Sequence, residues 1–241
     1  MGGYNFYNKH TNNPYFSIRV LYLQNKPHPN IKIMFNLITS YYHSPSNERQ
    51  QELNQCLIYN SKNQYIKSIY LLNSQIYDLD FIDTEHQSKI VQFTVNDDNK
   101  DRLYYDCAIK FTNDYLCGQK CIVSNSDIYF DETLRILENF DFSNNIAFAL
   151  SKYENGILHE RSDSQDSWFF SSPLNVELSL IHFKFGFPGC DNIFLGLMMK
   201  SGYGLLNPCK TIKTHHLHDS GYRTYTDCDK IPGEYWGISP T

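Results

Sequence analysis

At 241 residues, with 41% hydrophobic, 20% charged and 15% aromatic residues, the chain has the composition of a folded globular protein and enough length for one sizeable core. A net charge of -5 and the absence of a basic cluster exclude a general nucleic-acid binder, whose affinity would rest on Lys and Arg tracking phosphates. Seven cysteines, odd in number and without zinc-site spacing, read as reduced, mostly buried thiols of a cytoplasmic protein. The start, Met1-Gly2-Gly3-Tyr4-Asn5-Phe6, lacks the pattern of a signal peptide or a myristoylation site, and no apolar run is long enough for a membrane span.

Residues 1–30 are rich in Asn, Tyr and Pro and form an N-terminal extension, in which the alternation of 15–23 suggests an extra strand. After the Pro27-His28-Pro29-Asn30 turn, the apolar run 31–38 predicts a buried first strand, and 47–57 a helix capped by Ser46 or Asn47 with Leu53, Cys56 and Leu57 on one face. Strands follow at 65–73 and 88–95, a helix at 101–115, and a strand through Cys121, Ile122 and Val123 that ends near Asp127. Residues 131–139 read as helix, and 146–150 as a strand extended into a hairpin turn at Asn155-Gly156. A strand-like piece covers 167–170, an apolar helix 193–203 stops at Gly202, and a last strand covers 209–214. Residues 219–241 form a tail that folds back. Strands alternating with helices predict a single α/β domain over 31–241, with a mostly parallel central sheet flanked by helices.

The residues that could carry chemistry sit at the ends of these elements. Asp127, Asp163, Asp166, Asp191 and His218 each border an apolar run, so parallel strands could bring them into one cleft. A carboxylate and an imidazole suit a hard-to-borderline divalent ion completed by phosphate and water, and a further carboxylate could accept a proton. Each also has an ordinary alternative: Asp127 as a turn residue, Asp191 as a helix cap, Asp163 and Asp166 in a solvated loop, Trp168 in the core. His216 and His218 share a strand face, so either could be the ligand. No glycine-rich phosphate loop or dense acid cluster supports a phosphoryl or nucleotidyl transferase.

Four places, Asn125-Ser126-Asp127, Asp163-Ser164-Gln165-Asp166-Ser167-Trp168, Pro188-Gly189-Cys190-Asp191-Asn192 and Thr214-His215-His216-Leu217-His218, occur in an order that resembles the nucleotide-sugar glycosyltransferases of GT-A type. In particular it resembles the short glycosyltransferase-like proteins of giant viruses and some phages and bacteria; a viral protein would act in the host cytoplasm. The resemblance spans about residues 31–235, and it implies a nucleotide-binding half at 31–127 and an acceptor or catalytic half at 128–241. It also implies transfer of a sugar, with inversion, from a nucleoside diphosphate sugar such as a UDP-sugar to a hydroxyl of a glycan or glycoprotein. Asp127 and His218 would hold Mn2+ or Mg2+, and Asp191, with Asp166, would be catalytic. The nucleotide would meet Tyr41, Tyr42, Arg49, Asp101, Arg102, Asn125, Ser126 and Asp127, and the acceptor or sugar would meet Asp163, Trp168 and Asn192. Asn125 stands where the family carries the first acid of its metal motif, so metal dependence is open, and a catalytically silent nucleotide- or glycan-binding module is the alternative.

Overall fold

The computed structural model describes residues 6–8, 35–95 and 102–241. The expected strand at 15–23, the beginning of the first core strand and Asp101 lie outside the described residues.

The chain order is β1 (Phe6–Asn8), β2 (Phe35–Thr39), α1 (Asn47–Lys62), β3 (Ile66–Asn73), α2 (Thr84–Gln87), β4 (Ile90–Val95), α3 (Tyr105–Tyr115), β5 (Lys120–Ser124) and β6 (Ile128–Phe130). There follow β7 (Ile146–Leu150), β8 (Tyr153–Glu154), β9 (Ile157–Leu158), β10 (Ser167–Ser171), α4 (Cys190–Lys200), β11 (Gly204–Leu206) and β12 (Thr214–His216). Eight strands form one sheet in the order β1-β4-β3-β2-β5-β10-β7-β11. The pairs β4-β3, β3-β2, β2-β5 and β7-β11 are parallel, whereas β10 runs against both β5 and β7, and β1 against β4. The architecture is therefore α/β with a large, mostly parallel sheet flanked by helices, as the alternation of strand and helix patterns predicts. A second, small sheet, β6-β12-β8-β9, stands beside it.

Alternation along the central strands explains the two layers. In β5, Cys121 and Val123 enter the layer containing α3 and α4, while Ile122 enters the layer containing α1, so the strand is apolar on both faces. Helix α1 places Leu53, Cys56 and Leu57 on its buried face, as expected, and each buried leucine contributes roughly 1.5–3 kcal/mol. Ser46 caps it by accepting a hydrogen bond from the Arg49 N–H at 3.2 Å.

Three expectations need correction. Residues 131–139 form not an α-helix but a 3-10 helix over Glu132–Leu137, whose buried Leu134 and Leu137 are three apart and so eclipse on a threefold helix. The strand expected at 209–214 is a turn, because the Pro208 carbonyl accepts from the N–H groups of Thr211 and Ile212; pairing begins only at Thr214. The helix expected from 193 starts at Cys190, after Gly189 at φ 84°, so Asp191 lies in its first turn. The tail folds back as expected: Ile231, Trp236 and Ile238 donate to the carbonyls of Pro188, Asn192 and Ser162. A β-carbon at Gly196 would run into the Trp236 indole that the tail lays on α4. Among the described residues, no helix is long and apolar enough to cross a membrane.

Candidate functional site

The carboxyl ends of β2, β5 and β7 open on one edge of the sheet, and β10, running the other way, starts there. Ser40 and Tyr42 follow β2, the segment 124–127 ends β5, Lys152 and Glu154 follow β7, and Asp166 precedes β10; all of these line one cleft of about 320 Å3. That volume falls within the roughly 300–1,000 Å3 of small-molecule sites. Arg102, Phe185, the tail segment 221–225, His216 and His218 line the cleft too.

Asp127 is buried, 7% exposed, at the turn between β5 and β6. Its Oδ2 receives the Arg49 Nη2–H at 2.5 Å and lies 3.1 Å from His216 Nε2 and 3.8 Å from His218 Nδ1. Burial alone would raise its pKa, but His216 and Arg49 outweigh burial and hold the carboxyl well below the usual range. The register of β12 explains the imidazole: His216 sits opposite Ile128 on β6 and Glu154 on β8, which aims its ring at the cleft while His215 points away and pairs with Asp131. His216 meets Glu154 at 2.9 Å through Nδ1 and Asp127 through Nε2, and although burial opposes its charge, Asp127 raises its pKa.

His218 differs. Burial and the Arg49 charge lower its pKa, leaving a neutral ring that stacks on His216 at 5.3 Å and 10°. Both of its ring nitrogens, and Oδ1 of Asp127, are buried without a hydrogen-bond partner among the described residues. Ligand atoms of Asp127, His216 and His218 lie within 4.8 Å of one another. A neutral imidazole, a carboxylate oxygen and the cost of leaving such atoms unsatisfied fit a divalent cation. His216, engaged on both nitrogens, is less available than His218.

A second polar knot adjoins the first. Asn125 donates its amide to Asp166 Oδ1 at 2.8 Å, and Lys152 Nζ lies 3.2 Å from Asp166 Oδ2 and 3.4 Å from Glu154. Behind the 165–166 backbone, Asp191 accepts the Gln165 N–H at 3.1 Å; burial first, then the Asp166 charge, pushes its pKa up to about 7.

The other expected site residues separate by position. Tyr42, Arg49, Arg102, Asn125 and Ser126 line the cleft with Asp127, Asp166 and His218. Tyr41 is core, 4% exposed, its hydroxyl donating to Asn54. Trp168 is fully buried against Phe194, since β10 is covered on both faces, so it offers no platform to a sugar. Asp163 forms an exposed ion pair with Arg161, and Asn192 spends its amide on the carbonyls of Asp163 and Trp236. Neither these two nor Asp191 lines the cleft. Lys152, Glu154 and Glu52 were not legible as site residues, since each looks like an ordinary surface charge in sequence. Lys152 carries one weak sign, its position just beyond an apolar strand.

No protein-family model matches the sequence, and no curated protein matches it. Among solved structures, the chain is similar to a protein described as a glucose-1-phosphate thymidylyltransferase from Bacillus anthracis, in complex with a sucrose. The identity is 14% over 75% of this chain and 88% of that one, with a TM-score of 0.43. So distant a likeness does not bear on function.

Proposed function

We propose that the cleft binds a nucleoside diphosphate sugar, with UDP as the first candidate carrier, and transfers the sugar with inversion to a hydroxyl of a glycan or glycoprotein. The observation that carries this reading is the clustering, at the carboxyl edge of the sheet, of Asp127, His216 and His218, with ligand atoms within 4.8 Å of one another and with Asp127 Oδ1 and both His218 nitrogens buried without a hydrogen bond among the described residues. Asp127 and His218 would hold Mn2+ or Mg2+, which when bound supplies charge neutralisation for the leaving diphosphate. Arg102, fixed by the Phe185 carbonyl and Thr224 Oγ1, and Arg223 face the same space and add cationic charge for phosphate oxygens. Ser40 and Tyr42, at the end of β2, and Ser126 bound the nucleotide side.

In the transfer, the acceptor oxygen bonds to the anomeric carbon as the bond from that carbon to the diphosphate breaks, and the acceptor proton passes to a carboxylate. Asp166 is the member of this acid pair that lines the cleft and can meet the acceptor hydroxyl; Asp191, expected to be the base, lies behind it with a pKa raised to about 7 and would act only through Asp166. A single displacement of this kind inverts the anomeric centre.

A catalytically silent nucleotide- or glycan-binding module is the second reading, favoured by Asn125, whose amide is committed to Asp166 where an acid of the metal motif is expected. Calorimetric titration with UDP, GDP and CDP, with and without Mn2+, on wild type and Asp127→Ala tests both. The transferase reading expects metal-dependent binding of one diphosphate that is lost in the variant, followed by turnover of the matching donor sugar. Binding without turnover of any donor supports the silent module, and no binding under any condition overturns the nucleotide reading.

A further inference from the structure

A histidine that binds a metal ordinarily has its second ring nitrogen held by a carboxylate or carbonyl, which fixes the ring's orientation. His218 has no such hydrogen-bonded partner among the described residues: neither nitrogen makes a hydrogen bond, Asp127 Oδ2 stands 3.8 Å from Nδ1, and the ring stacks on His216. Its aim must therefore come from the backbone on either side of it.

That backbone is tied down by helix α1. On the near side of His218, Leu217 donates its N–H to the Asp127 carbonyl at 3.0 Å, and its own carbonyl accepts from Arg49 Nη1 at 3.0 Å. On the far side, Ser220 donates its N–H to Glu52 Oε1 at 2.6 Å and its hydroxyl to Glu52 Oε2 at 2.9 Å. Glu52 Oε2 also accepts from Arg49 Nη1 at 2.9 Å, and Arg49 Nη2 holds Asp127. Arg49 and Glu52, three residues apart on one face of α1, thus bracket His218 and grip Asp127 with the same guanidinium. The side chains are 6% and 12% exposed, well inside the range where removing one partner leaves a charge stranded. Glu52 does not line the cleft, so it has no direct path to a ligand.

We propose that Glu52 is a positioning residue for the metal site: acting through Arg49 and Ser220, it sets the geometry of His218 relative to Asp127 and thereby the affinity for a divalent cation. Arg49, expected to meet the nucleotide, belongs to the same clamp, its guanidinium being occupied by Asp127, Glu52 and the Leu217 carbonyl. The inference rests on the Asp127–His218 site assigned above.

The test is Mn2+ binding to the full chain, followed by the paramagnetic resonance signal of the free ion, in the presence and absence of UDP. Wild type is compared with Glu52→Gln, Ser220→Ala and Glu48→Gln, the last removing an exposed acid from the same helix. Glu52→Gln should weaken Mn2+ binding about tenfold to a hundredfold, the range seen when groups that orient metal ligands are removed. Ser220→Ala, which keeps the backbone donor, should weaken it less, and Glu48→Gln should leave it unchanged. Melting curves show that each variant is folded at the temperature of titration. Wild-type affinity in a folded Glu52→Gln overturns the positioning role while leaving the metal site standing, as does an equal loss in Glu48→Gln. Failure of wild type itself to bind Mn2+ in either condition overturns both.

Discussion

The side-chain amide of Asn125 donates to Oδ1 of Asp166 at 2.8 Å, joining residues 41 apart in sequence at the edge where β5 ends and β10 begins. The residue standing in place of an expected metal-binding acid is thus turned toward the second carboxylate, where an amide can donate and an acid cannot. Asn125→Asp should set two carboxylates against each other and lower stability by roughly 1–2 kcal/mol, read from urea midpoints at pH 8. Its Mn2+ affinity should stay within about twofold of wild type, since a tenfold change is a full 1.4 kcal/mol. A gain of tenfold or more would show that position 125 faces the ion instead.

Asp191 couples stability to pH. Its folded pKa is raised from 3.8 to about 7, so between those values the folded state holds more protons than the unfolded one, and stability falls as pH rises through the window. Asp191→Asn removes this effect while keeping an acceptor for the Gln165 N–H. The variant should match wild type near pH 4 and exceed it by about 1–3 kcal/mol at pH 8, by chemical denaturation at both pH values. A difference that does not change with pH would reject the raised pKa. Asp166→Asn, by removing the second cause of the shift, should narrow the window from its upper end.

Lys152 is the cation between Asp166 and Glu154, with a side chain only 13% exposed. Burial disfavours its charge, but Asp166, Asp127 and Glu154 more than compensate and raise its pKa. Lys152→Met should cost about 2–4 kcal/mol, because the acids are left without their partner. Adding Asp166→Asn should recover part of that loss, and a double-mutant cycle measures the coupling. Strict additivity would show that the pair does not interact.

Trp168 separates core from platform. Trp168→Phe should lower the melting temperature, with a cost of about 1–3 kcal/mol for the space left beside Phe194, and leave nucleotide-sugar affinity unchanged. A selective loss of sugar affinity at unchanged stability would place the ring in the site after all.

Legibility follows the range of the interaction that decides each feature. The core strands and α1 were readable because burial of a face repeats along the element itself, as Leu53, Cys56 and Leu57 do in α1. The strands β6 and β11, three residues each, are too short to show a period, and the 3-10 helix carries a spacing that an α-helix also allows. At the site, Asp127, Asp166 and His218 stood out by their place after or before apolar runs, and the structure puts them in one cleft. The same sign also marked Asp163 and Asp191, yet Asp163 is paired at the surface and Asp191 does not line the cleft.

By itself the sequence determined the class of fold, the start of α1 and the edge of the sheet on which the acids collect, since these depend on patterns within ten or twenty residues. Only the tertiary structure decided which charges meet. Arg49 reaches Asp127 across 78 residues, and His216 reaches it across 89. Asp166 arrives because β10 inserts against the direction of its neighbours, so that its beginning meets the ends of β5 and β7. Strand order and direction arise from packing the whole sheet between its two layers, and no local periodicity records them.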